Sequence, residues 1–298
     1  MKVFVTGANG QLGHDVMKIL SQRGCECIGS GSSDSYHGIN DSAAELPYRK
    51  LNICSSSEVS ALLNELKPDA VIHCAAWTNV EAAEDILNRE DLYAINVQGT
   101  ENLARSCAEI DAKMLYISSD YVFSSSSQEP HKADDEDFCP INEYGKSKLE
   151  GEFAVKRQLK KYFIVRTSWL FGQNGSNFVK TIIKAGRKNG KVYVVNDQIG
   201  TPTYSLHLAR LLADMIESDK YGVYHGTNEG GYISWYDVTR EIYKIANVDA
   251  EVYPVSTEKY TCTAKRPYNS RLDKSKLVEM GFEPLPHWKD ALKEFIEV

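Results

Sequence analysis

The stretch Lys2–Gly13, which reads KVFVTGANGQLG, decides the fold of this chain. A short apolar run of strand type leads directly into Gly7, Gly10 and Gly13, and apolar residues at helical spacing follow from Leu12. Gly7 permits a tight turn, Gly10 lets the backbone approach a pyrophosphate, and Gly13 lets a helix pack closely on the strand. The N–H groups at the start of that helix can bind the anion. Strand, glycine turn and helix in this order predict a dinucleotide site.

Two further strands are expected to form the adenosine end of that site. The strand Glu26–Gly29 continues into Ser30 and has no carboxylate at its end, since Asp34 comes late. A carboxylate there would bind the ribose 2′-hydroxyl of NAD. Small residues leave room for a 2′-phosphate, although no arginine is present to hold it, so we expect NADPH, with NADH as the second candidate. Asn52 and Ile53 follow a third short strand and are expected beside the adenine.

The run Asp69–Ala76 predicts a central strand that ends in small residues. Cys74, Ala75 and Ala76 at its carboxyl end would let a cofactor lie across the sheet edge. Ordinary core packing explains the same small residues equally well. His73, within the apolar run, is interpreted as a hydrogen-bonded core histidine rather than a ligand.

Tyr144 and Lys148 are four positions apart, so they share one face of a helix. A nearby cation favours the phenolate, lowers the pKa of the tyrosine and allows it to exchange a proton. Alone, this pair is common on solvated helix faces. The expected strand Lys113–Ser118 delivers Ser119, whose hydroxyl can bond a carbonyl oxygen that Tyr144 protonates. Together with the glycine stretch, these three residues indicate a site that reduces or oxidises a substrate at a carbonyl.

Composition excludes several classes of protein. The 298 residues carry a net charge of −7 with no basic run, which argues against a nucleic-acid binder. No apolar stretch approaches the roughly 20 residues of a membrane span, and no signal-peptide pattern opens the chain. Seven scattered cysteines without a C-x-x-C pair favour a reduced, cytoplasmic protein without a metal site.

Alternating strands and helices predict the α/β class, with a Rossmann-type doubly wound parallel sheet and a smaller C-terminal α/β substrate-binding lobe. We expect residues 1–170 to form the NADP(H)-binding domain with the catalytic residues. Residues 171–298 would form mainly the substrate-binding lobe, with some chain returning to the first domain. A capping box of Ser55 and Glu58 is expected to open one helix. A long helix is expected over Glu81–Glu109.

Eight segments spread over nearly the whole chain carry a family resemblance: Gly7–Gly13, Ala75–Val80, Ser118–Phe123, Tyr144–Glu152, Arg166–Gly172, Asn177–Val179, Asn196–Thr203 and Lys265–Leu272. They resemble the dTDP-4-dehydrorhamnose reductase (RmlD/RfbD) family of extended short-chain dehydrogenases/reductases. The glycine spacing G-x-x-G-x-x-G is typical of that branch. The last three segments discriminate best, since generic nucleotide-sugar epimerases do not share them in this form.

The resemblance implies NAD(P)H-dependent reduction of the C4 ketone of dTDP-4-dehydro-β-L-rhamnose to dTDP-L-rhamnose. Tyr144 would be the general acid, Lys148 would lower its pKa and bind the nicotinamide ribose, and Ser119, where the family usually has Thr, would hold the carbonyl oxygen. The expected cofactor-binding residues are Gly7, Asn9, Gly10, Gln11, Leu12, Gly13, Ser30, Asn52, Ile53, Cys74, Ala75, Ala76, Thr78, Asn96, Tyr144 and Lys148. The expected substrate-binding residues are Thr78, Val80, Ser119, Asp120, Tyr121, Trp169, Asn177, Gln198 and Arg266.

Two alternatives stay open at this point. One is another nucleotide-sugar enzyme on the same scaffold, either a 4-epimerase that retains NAD or a different 4-keto-6-deoxysugar reductase. The other is a non-catalytic NADP-binding regulatory subunit, against which the intact Ser119, Tyr144 and Lys148 argue. Some relatives dimerise through a magnesium bridge of glutamates, which this chain does not clearly match, so a monomer or homodimer and any Mg²⁺ dependence are also open.

Overall fold

The structure is a computed structural model that describes residues 1–124 and 127–297. Its strands are β1 (Lys2–Thr6), β2 (Glu26–Gly31), β3 (Tyr48–Lys50), β4 (Ala70–His73), β5 (Lys113–Ser119), β6 (Tyr162–Thr167), β7 (Leu170–Phe171), β8 (Lys191–Val195), β9 (Ile199–Gly200), β10 (Thr203–Tyr204), β11 (Gly222–His225), β12 (Asn228–Glu229), β13 (Ile233–Ser234), β14 (Glu251–Val255) and β15 (Leu285–His287). Its α-helices are α1 (Gln11–Gln22), α2 (Ser56–Leu66), α3 (Val80–Ala83), α4 (Arg89–Tyr93), α5 (Thr100–Glu109), α6 (Glu143–Gln158), α7 (Phe178–Asn189), α8 (Ser205–Glu217), α9 (Trp235–Ile245), α10 (Ser275–Glu279) and α11 (Trp288–Glu297). Among the described helices, none combines the length and apolar character needed to cross a membrane.

A seven-stranded sheet forms the centre of the molecule. Its strands lie in the order β11-β6-β5-β4-β1-β2-β3, and every neighbouring pair is parallel. The strand order reverses between β1 and β4, and a crevice at the carboxyl ends beside such a reversal is where open α/β sheets bind ligands. The predicted doubly wound α/β fold is therefore confirmed.

The turn between β1 and α1 explains the glycine spacing. Gly7 has φ of 71°, in the left-handed region that glycine adopts without cost. A Cβ on Gly13 would collide with the Gly7 carbonyl, so the first turn of α1 can rest on the loop only without a side chain there. The N–H of Gly10 donates to the Gly7 carbonyl oxygen at 2.9 Å and closes the turn.

The prediction of one long helix over Glu81–Glu109 is wrong, because this stretch is divided into several shorter helical segments. Short α3 ends before a 3₁₀ turn that starts at Asp85, whose carboxylate accepts from the N–H of Leu87 at 3.0 Å. After α4 the chain forms a π-helical segment, Ala94–Gly99, before α5 resumes the regular helix. The apolar spacing carried the helical signal but could not show these breaks, because π-bulges arise from local insertions that often serve a site.

The capping box predicted for α2 is only half formed. Ser55 does cap the helix by accepting from the N–H of Glu58 at 3.4 Å. The Glu58 carboxylate, however, accepts from the N–H of Asn52 at 3.2 Å rather than from the cap residue itself. That bond fixes the backbone of Asn52 at the end of the third strand, next to the expected adenine position.

The C-terminal part of the chain contributes both to a second lobe and to the main sheet. The second lobe has its own apolar core, which includes Phe171, Ile242 and Phe295. Strand β11 returns to pair with β6, and α8 packs on α1 within the core that also holds β1. Part of the C-terminal chain thus packs with the main sheet. The domain boundary at residue 170 stays a prediction.

Candidate active site

A cleft of about 1160 Å³ follows the carboxyl ends of the central strands, beside the reversal between β1 and β4. Most of the residues predicted from the sequence to bind cofactor or substrate line it. These are Gly7, Asn9, Gly10, Gln11, Leu12, Gly13, Ser30, Asn52, Ile53, Cys74, Ala75, Ala76, Thr78, Val80, Ser119, Asp120, Tyr121, Tyr144, Lys148, Trp169 and Asn177. The fold therefore gathers segments that are far apart in the sequence into one cavity.

The glycine loop fits the pyrophosphate of a dinucleotide. Gly10 precedes α1 and no side chain of the described residues caps it, so the N–H groups of the first turn point toward the cleft end. Asn9 is held on both sides: its amide donates to the Tyr48 hydroxyl at 3.0 Å and accepts from the N–H of His37 at 2.9 Å. The loop is thereby fixed before any ligand arrives.

Asn174 is a loop-supporting residue that sequence reasoning missed. Its amide donates to the carbonyl oxygens of Asn9 at 2.8 Å and Gly10 at 3.2 Å, across from the second lobe. Nearby Asn177 donates to the Gln11 side chain at 3.0 Å and also caps α7. These contacts join residues more than 160 positions apart, so no local pattern could have revealed them.

The adenosine end of the cleft has small polar walls. Ser30, Gly31, Ser32, Ser33 and His37 line it. The nearest carboxylate in sequence, Asp34, does not line the cleft but pairs with Lys50 at 2.7 Å on the exposed surface. The space that a ribose-binding carboxylate would occupy in an NAD-specific site is therefore lined by hydroxyl, glycine and imidazole groups.

Helix α6 presents Tyr144 and Lys148 to the cleft. Asn142 caps the helix, accepting from the N–H of Gly145 at 2.7 Å. A Cβ on Gly145 would collide with the carbonyl oxygen of Tyr121, so glycine allows the helix start to approach the strand end that carries Ser119. The predicted helical spacing is confirmed, and both side chains lie in the cavity wall.

The surroundings of Tyr144 keep its phenol protonated. Burial raises the pKa of Tyr144 above its ordinary value, the negative charge of Asp120 raises it further, and a hydrogen bond with Ser119 acts in the opposite direction. Lys148 is not among the groups that shift this pKa here, so its role in lowering the pKa of Tyr144 stays a prediction. A protonated phenol is nevertheless the form that a general acid needs.

Lys148 is buried against an aromatic ring. Its Nζ lies 4.1 Å from the ring centroid of Tyr116. Burial lowers the pKa of Lys148 to about 7, while the charges of Glu152 and Cys74 oppose that fall. Near neutral pH the amine is therefore only partly protonated in the empty cleft, and an anionic group that enters the cleft would favour its charged form.

Asp120 is a second buried acid at the same end. Burial raises its pKa to about 6, although hydrogen bonds from Ser270 and Ser119 hold it lower than burial alone would. Ser119 donates to its Oδ1 at 2.9 Å. Ser270 lies near, but among the described residues no hydrogen bond of normal geometry reaches Oδ2. This oxygen and the unpartnered Oγ1 of the cleft residue Thr167 are available to a polar ligand.

Asn96, predicted to contact the cofactor, does not line the cleft, and its cofactor role stays a prediction. Its amide oxygen accepts from the N–H of Trp77 at 2.8 Å, and its NH₂ donates to the Trp77 carbonyl and, at 2.9 Å, to the Ser147 hydroxyl. The residue is buried within the π-helical segment. It therefore ties the chain after β4 to helix α6, behind the wall that carries Tyr144.

Trp169 and Trp235 form an aromatic wall at the other end of the cleft. Their ring centroids are 3.9 Å apart with an interplanar angle of 17°. Trp169 has φ of 51°, a strained backbone conformation for a bulky residue that is typical of functional sites. Trp235, which lines the cleft as well, was missed, because its position after the helix cap Ser234 indicates only a helix start.

Gln198 and Arg266 lie outside the cleft wall, contrary to their predicted direct contact with substrate. Gln198 is buried and donates to the Thr257 hydroxyl at 3.1 Å. Arg266 forms an ion pair with Glu81 at 2.5 Å, behind the cleft residue Tyr121. The sequence motif placed both in the right region, but their side chains are engaged by neighbouring loops.

The fold and the site together define a class. A glycine loop at the switch point of a parallel sheet, with Ser119, Tyr144 and Lys148 in the same cleft, is the arrangement of a dinucleotide-dependent short-chain dehydrogenase/reductase. Comparisons with known proteins narrow that class. The family model described as "RmlD substrate binding domain" matches residues 1–298.

Relatives agree with that match over their full lengths. The spore coat polysaccharide biosynthesis protein SpsK of Bacillus subtilis (strain 168) is 35% identical over 99% of this chain and 97% of its own. A crystal structure of a dTDP-4-dehydrorhamnose reductase from Clostridium acetobutylicum is 39% identical with a TM-score of 0.90, covering 100% of this chain and 99% of the other. The Bacillus anthracis dTDP-4-dehydrorhamnose reductase, in complex with NADP, is 37% identical with a TM-score of 0.86 and covers the same shares. The chain belongs to the RmlD, or dTDP-4-dehydrorhamnose reductase, family.

Proposed function

We propose that this protein reduces the C4 ketone of dTDP-4-dehydro-β-L-rhamnose with NADPH, giving dTDP-L-rhamnose. The observation that carries the proposal is the meeting of Ser119, Tyr144 and Lys148 in one cleft with the glycine loop, in a chain of this family. The two alternative functions fit less well. A regulatory subunit needs no phenol placed for proton transfer, and an epimerase must retain its NAD.

The residues of the loop fit the cofactor. Side chains at Gly7 and Gly13 would fill the space or collide with neighbouring backbone, and the uncapped start of α1 offers N–H donors to a diphosphate. When bound, the reduced nicotinamide supplies the hydride. NADPH is preferred over NADH in this proposal because Ser32, Ser33 and His37, rather than a carboxylate, line the 2′ position.

Three side chains do the remaining chemistry. The Ser119 hydroxyl, which donates to Asp120 Oδ1 in this structure, turns to donate to the substrate C4 oxygen instead and holds it beside Tyr144. As negative charge develops on that oxygen, Tyr144 transfers its phenolic proton to it. Lys148 then stabilises the resulting phenolate by its charge and holds the ribose next to the nicotinamide. The buried setting supports this order, since it keeps Tyr144 protonated until charge appears on the substrate.

The substrate end is assigned by its side chains. Trp169 is proposed to pack on the apolar face of the deoxysugar, because an aromatic ring matches such a face. The unpartnered Oδ2 of Asp120 faces a sugar hydroxyl in this arrangement. Thr78, Val80 and Tyr121 complete the wall around the sugar.

Further assignments belong to the same proposal. We place the protein in the cytoplasm, where a nucleotide sugar and NADPH are present, and its seven free cysteines suit that reducing compartment. We treat residues 1–170 and 171–298 as the cofactor and sugar-nucleotide units, and the protein as a monomer or homodimer that needs no metal for the chemical step.

A direct assay tests the proposal. Loss of NADPH is followed with enzymatically prepared dTDP-4-dehydro-L-rhamnose, and NADH is compared alongside. We expect rapid oxidation of NADPH and formation of dTDP-L-rhamnose. Purified protein that carries stoichiometric, tightly held NAD and leaves NADPH unconsumed would instead indicate an epimerase.

A further inference from the structure

Glu81 is an acidic side chain just outside the cleft whose contacts the reaction does not explain. It follows the cleft residue Val80 in the short helix α3. Its Oε2 accepts from the N–H groups of Thr263 at 2.9 Å and Ala264 at 3.2 Å. Its Oε1 forms an ion pair with Nη2 of Arg266 at 2.5 Å, although the geometry is not that of a hydrogen bond. One carboxylate thus holds both the backbone and a side chain of a segment more than 180 positions away.

The segment that Glu81 holds, residues 263–266, also touches the catalytic helix. The side chain of Asn142, which caps α6, donates to the carbonyl oxygen of Lys265 at 2.8 Å. Within the segment, Arg266 donates to the Ala264 carbonyl at 3.3 Å, which fixes the direction of its guanidinium. The segment is therefore clamped between α3 and the start of the helix that carries Tyr144.

Arg266 carries this arrangement to the cleft through Tyr121. Burial and the charge of Asp120 raise the pKa of the Tyr121 phenol, while the guanidinium of Arg266 acts against that rise through its charge and a hydrogen bond. Tyr121 lines the cleft, and its ring meets that of Tyr144 edge to face with centroids 5.8 Å apart.

The contacts of Glu81 also determine its own charge. Burial alone would raise the pKa of the Glu81 carboxyl. The pKa is instead lowered, because the carboxylate accepts from the N–H of Ala264, pairs with the Arg266 guanidinium and accepts from the N–H of Thr263. The group is therefore ionised at neutral pH and acts as a fixed anion. A neutral amide at this position could still accept from one backbone N–H but could not hold a guanidinium as firmly.

We propose that Glu81 is a positioning residue for the substrate end of the cleft: it holds Arg266 and fixes residues 263–266 against the start of the helix that carries Tyr144. This inference rests on the proposed function, since it assigns that end to the dTDP-sugar. Glu81 touches neither the sugar nor the cofactor in this account. Its removal should weaken substrate binding and leave the cofactor end unchanged.

Kinetics of Glu81→Gln test the inference. We expect the KM for dTDP-4-dehydro-L-rhamnose to rise about tenfold, the size expected when a hydrogen-bonded charge loses its partner. The dissociation constant of NADPH should stay within about twofold. Glu65→Gln is the matched control, because Glu65 pairs with Arg49 at 2.8 Å on an exposed surface away from the cleft, and it should change neither constant.

A double-mutant cycle separates positioning from general destabilisation. If Glu81 acts through Arg266, adding Glu81→Gln to Arg266→Ala should change the KM little further. An equal tenfold rise in both backgrounds, or a rise in the NADPH dissociation constant as large as that in KM, would overturn the proposal.

Amide hydrogen exchange distinguishes failure of this inference from failure of the proposed function. Glu81→Gln should speed exchange of the Thr263 and Ala264 amides whichever substrate the protein uses, because those N–H groups lose a charged acceptor. If the wild type does not reduce the dTDP-sugar but these amides still exchange faster, the substrate assignment fails and the positioning stands. Unchanged exchange would refute the positioning itself.

Discussion

Burial decides the protonation of the groups around Tyr144. Tyr144 and Asp120 both keep their protons more firmly than in water, and Lys148 holds its proton less firmly. Each shift follows from the cost of placing a charge in a low-dielectric wall. A buried cleft of this kind favours transfer of a proton to an alkoxide that forms inside it. Charged residues in its wall also lower the stability of the ligand-free protein.

Asp120→Asn tests that cost. The folded-state pKa of Asp120 is about 6, above its ordinary value of 3.8, so the stability linked to this group is present at low pH and is lost as pH rises through about 6. Removing the charge should stabilise the protein by about 2 kcal/mol more at pH 8 than at pH 4.5, measured by urea denaturation. Reduction of the sugar should slow at the same time.

The control for that experiment is Asp34→Asn. Asp34 is an exposed carboxyl whose pKa Lys50 lowers through a hydrogen bond and its charge, so its contribution to stability has the opposite pH dependence. Asp34→Asn should therefore not stabilise the protein at pH 8. If Asp120→Asn raised the free energy of unfolding equally at both pH values, packing and not charge burial would be responsible for the effect.

At the scale of elements, the second lobe supports the glycine loop. Asn174 reaches from the chain after β7 to the carbonyls of Asn9 and Gly10. The glycine loop is therefore shaped partly by the second lobe. This geometry couples the two ends of the cleft through one buried amide.

Asn174→Ala should weaken NADPH binding about fivefold, because two loop carbonyls lose a donor worth about 1 kcal/mol. Fluorescence titration of NADPH measures the change. Asn64 donates to the Ser60 carbonyl at 2.9 Å within α2 and does not line the cleft, so Asn64→Ala serves as the control and should bind NADPH normally. Equal weakening in both variants would count against a specific role for Asn174.

How far the sequence predicts these elements depends on the range of the contacts. The strand, turn and helix of Lys2–Gly13 and the spacing of Tyr144 and Lys148 are local, so periodicity and glycine placement were enough. The break of the helix at Ala94–Gly99 depends on Asn96 bonding to Trp77 and Ser147. Such tertiary bonds leave no periodic trace in a single sequence.

The same limit explains the site residues that the sequence misplaced or missed. The motif around Arg266 was recognisable, but its ion pair with Glu81 lies between distant segments and turns the side chain away from the cleft wall. Trp235 became part of the site only because its helix packs where Trp169 stacks on it. Motifs locate a region, whereas packing decides which side chains face the ligand.

At the scale of the whole molecule, the second half of the chain helps to build the core around the main sheet. Residues of α8, from the second half of the chain, pack with β1 and α1 in one apolar cluster, and β11 completes the main sheet. Helix α11 closes the second lobe with Trp288 and Phe295 buried. The two halves of the chain are therefore not independent folding units.

Shared packing predicts one cooperative unfolding transition. Calorimetry and far-ultraviolet circular dichroism should give coincident midpoints, and loss of NADPH binding should follow the same curve. Saturating NADPH should raise the midpoint of the whole transition, because it binds the folded form alone. Two separated transitions, only one of them moved by NADPH, would contradict a shared core.

The central claim, that Tyr144 is the acid of an NADPH-dependent sugar reductase, is tested most directly by Tyr144→Phe assayed with dTDP-4-dehydro-L-rhamnose. The account predicts that turnover falls about a thousand-fold, the scale of lost general acid catalysis, while the NADPH dissociation constant stays within about twofold. Turnover near the wild-type rate in a variant that binds NADPH normally would contradict it.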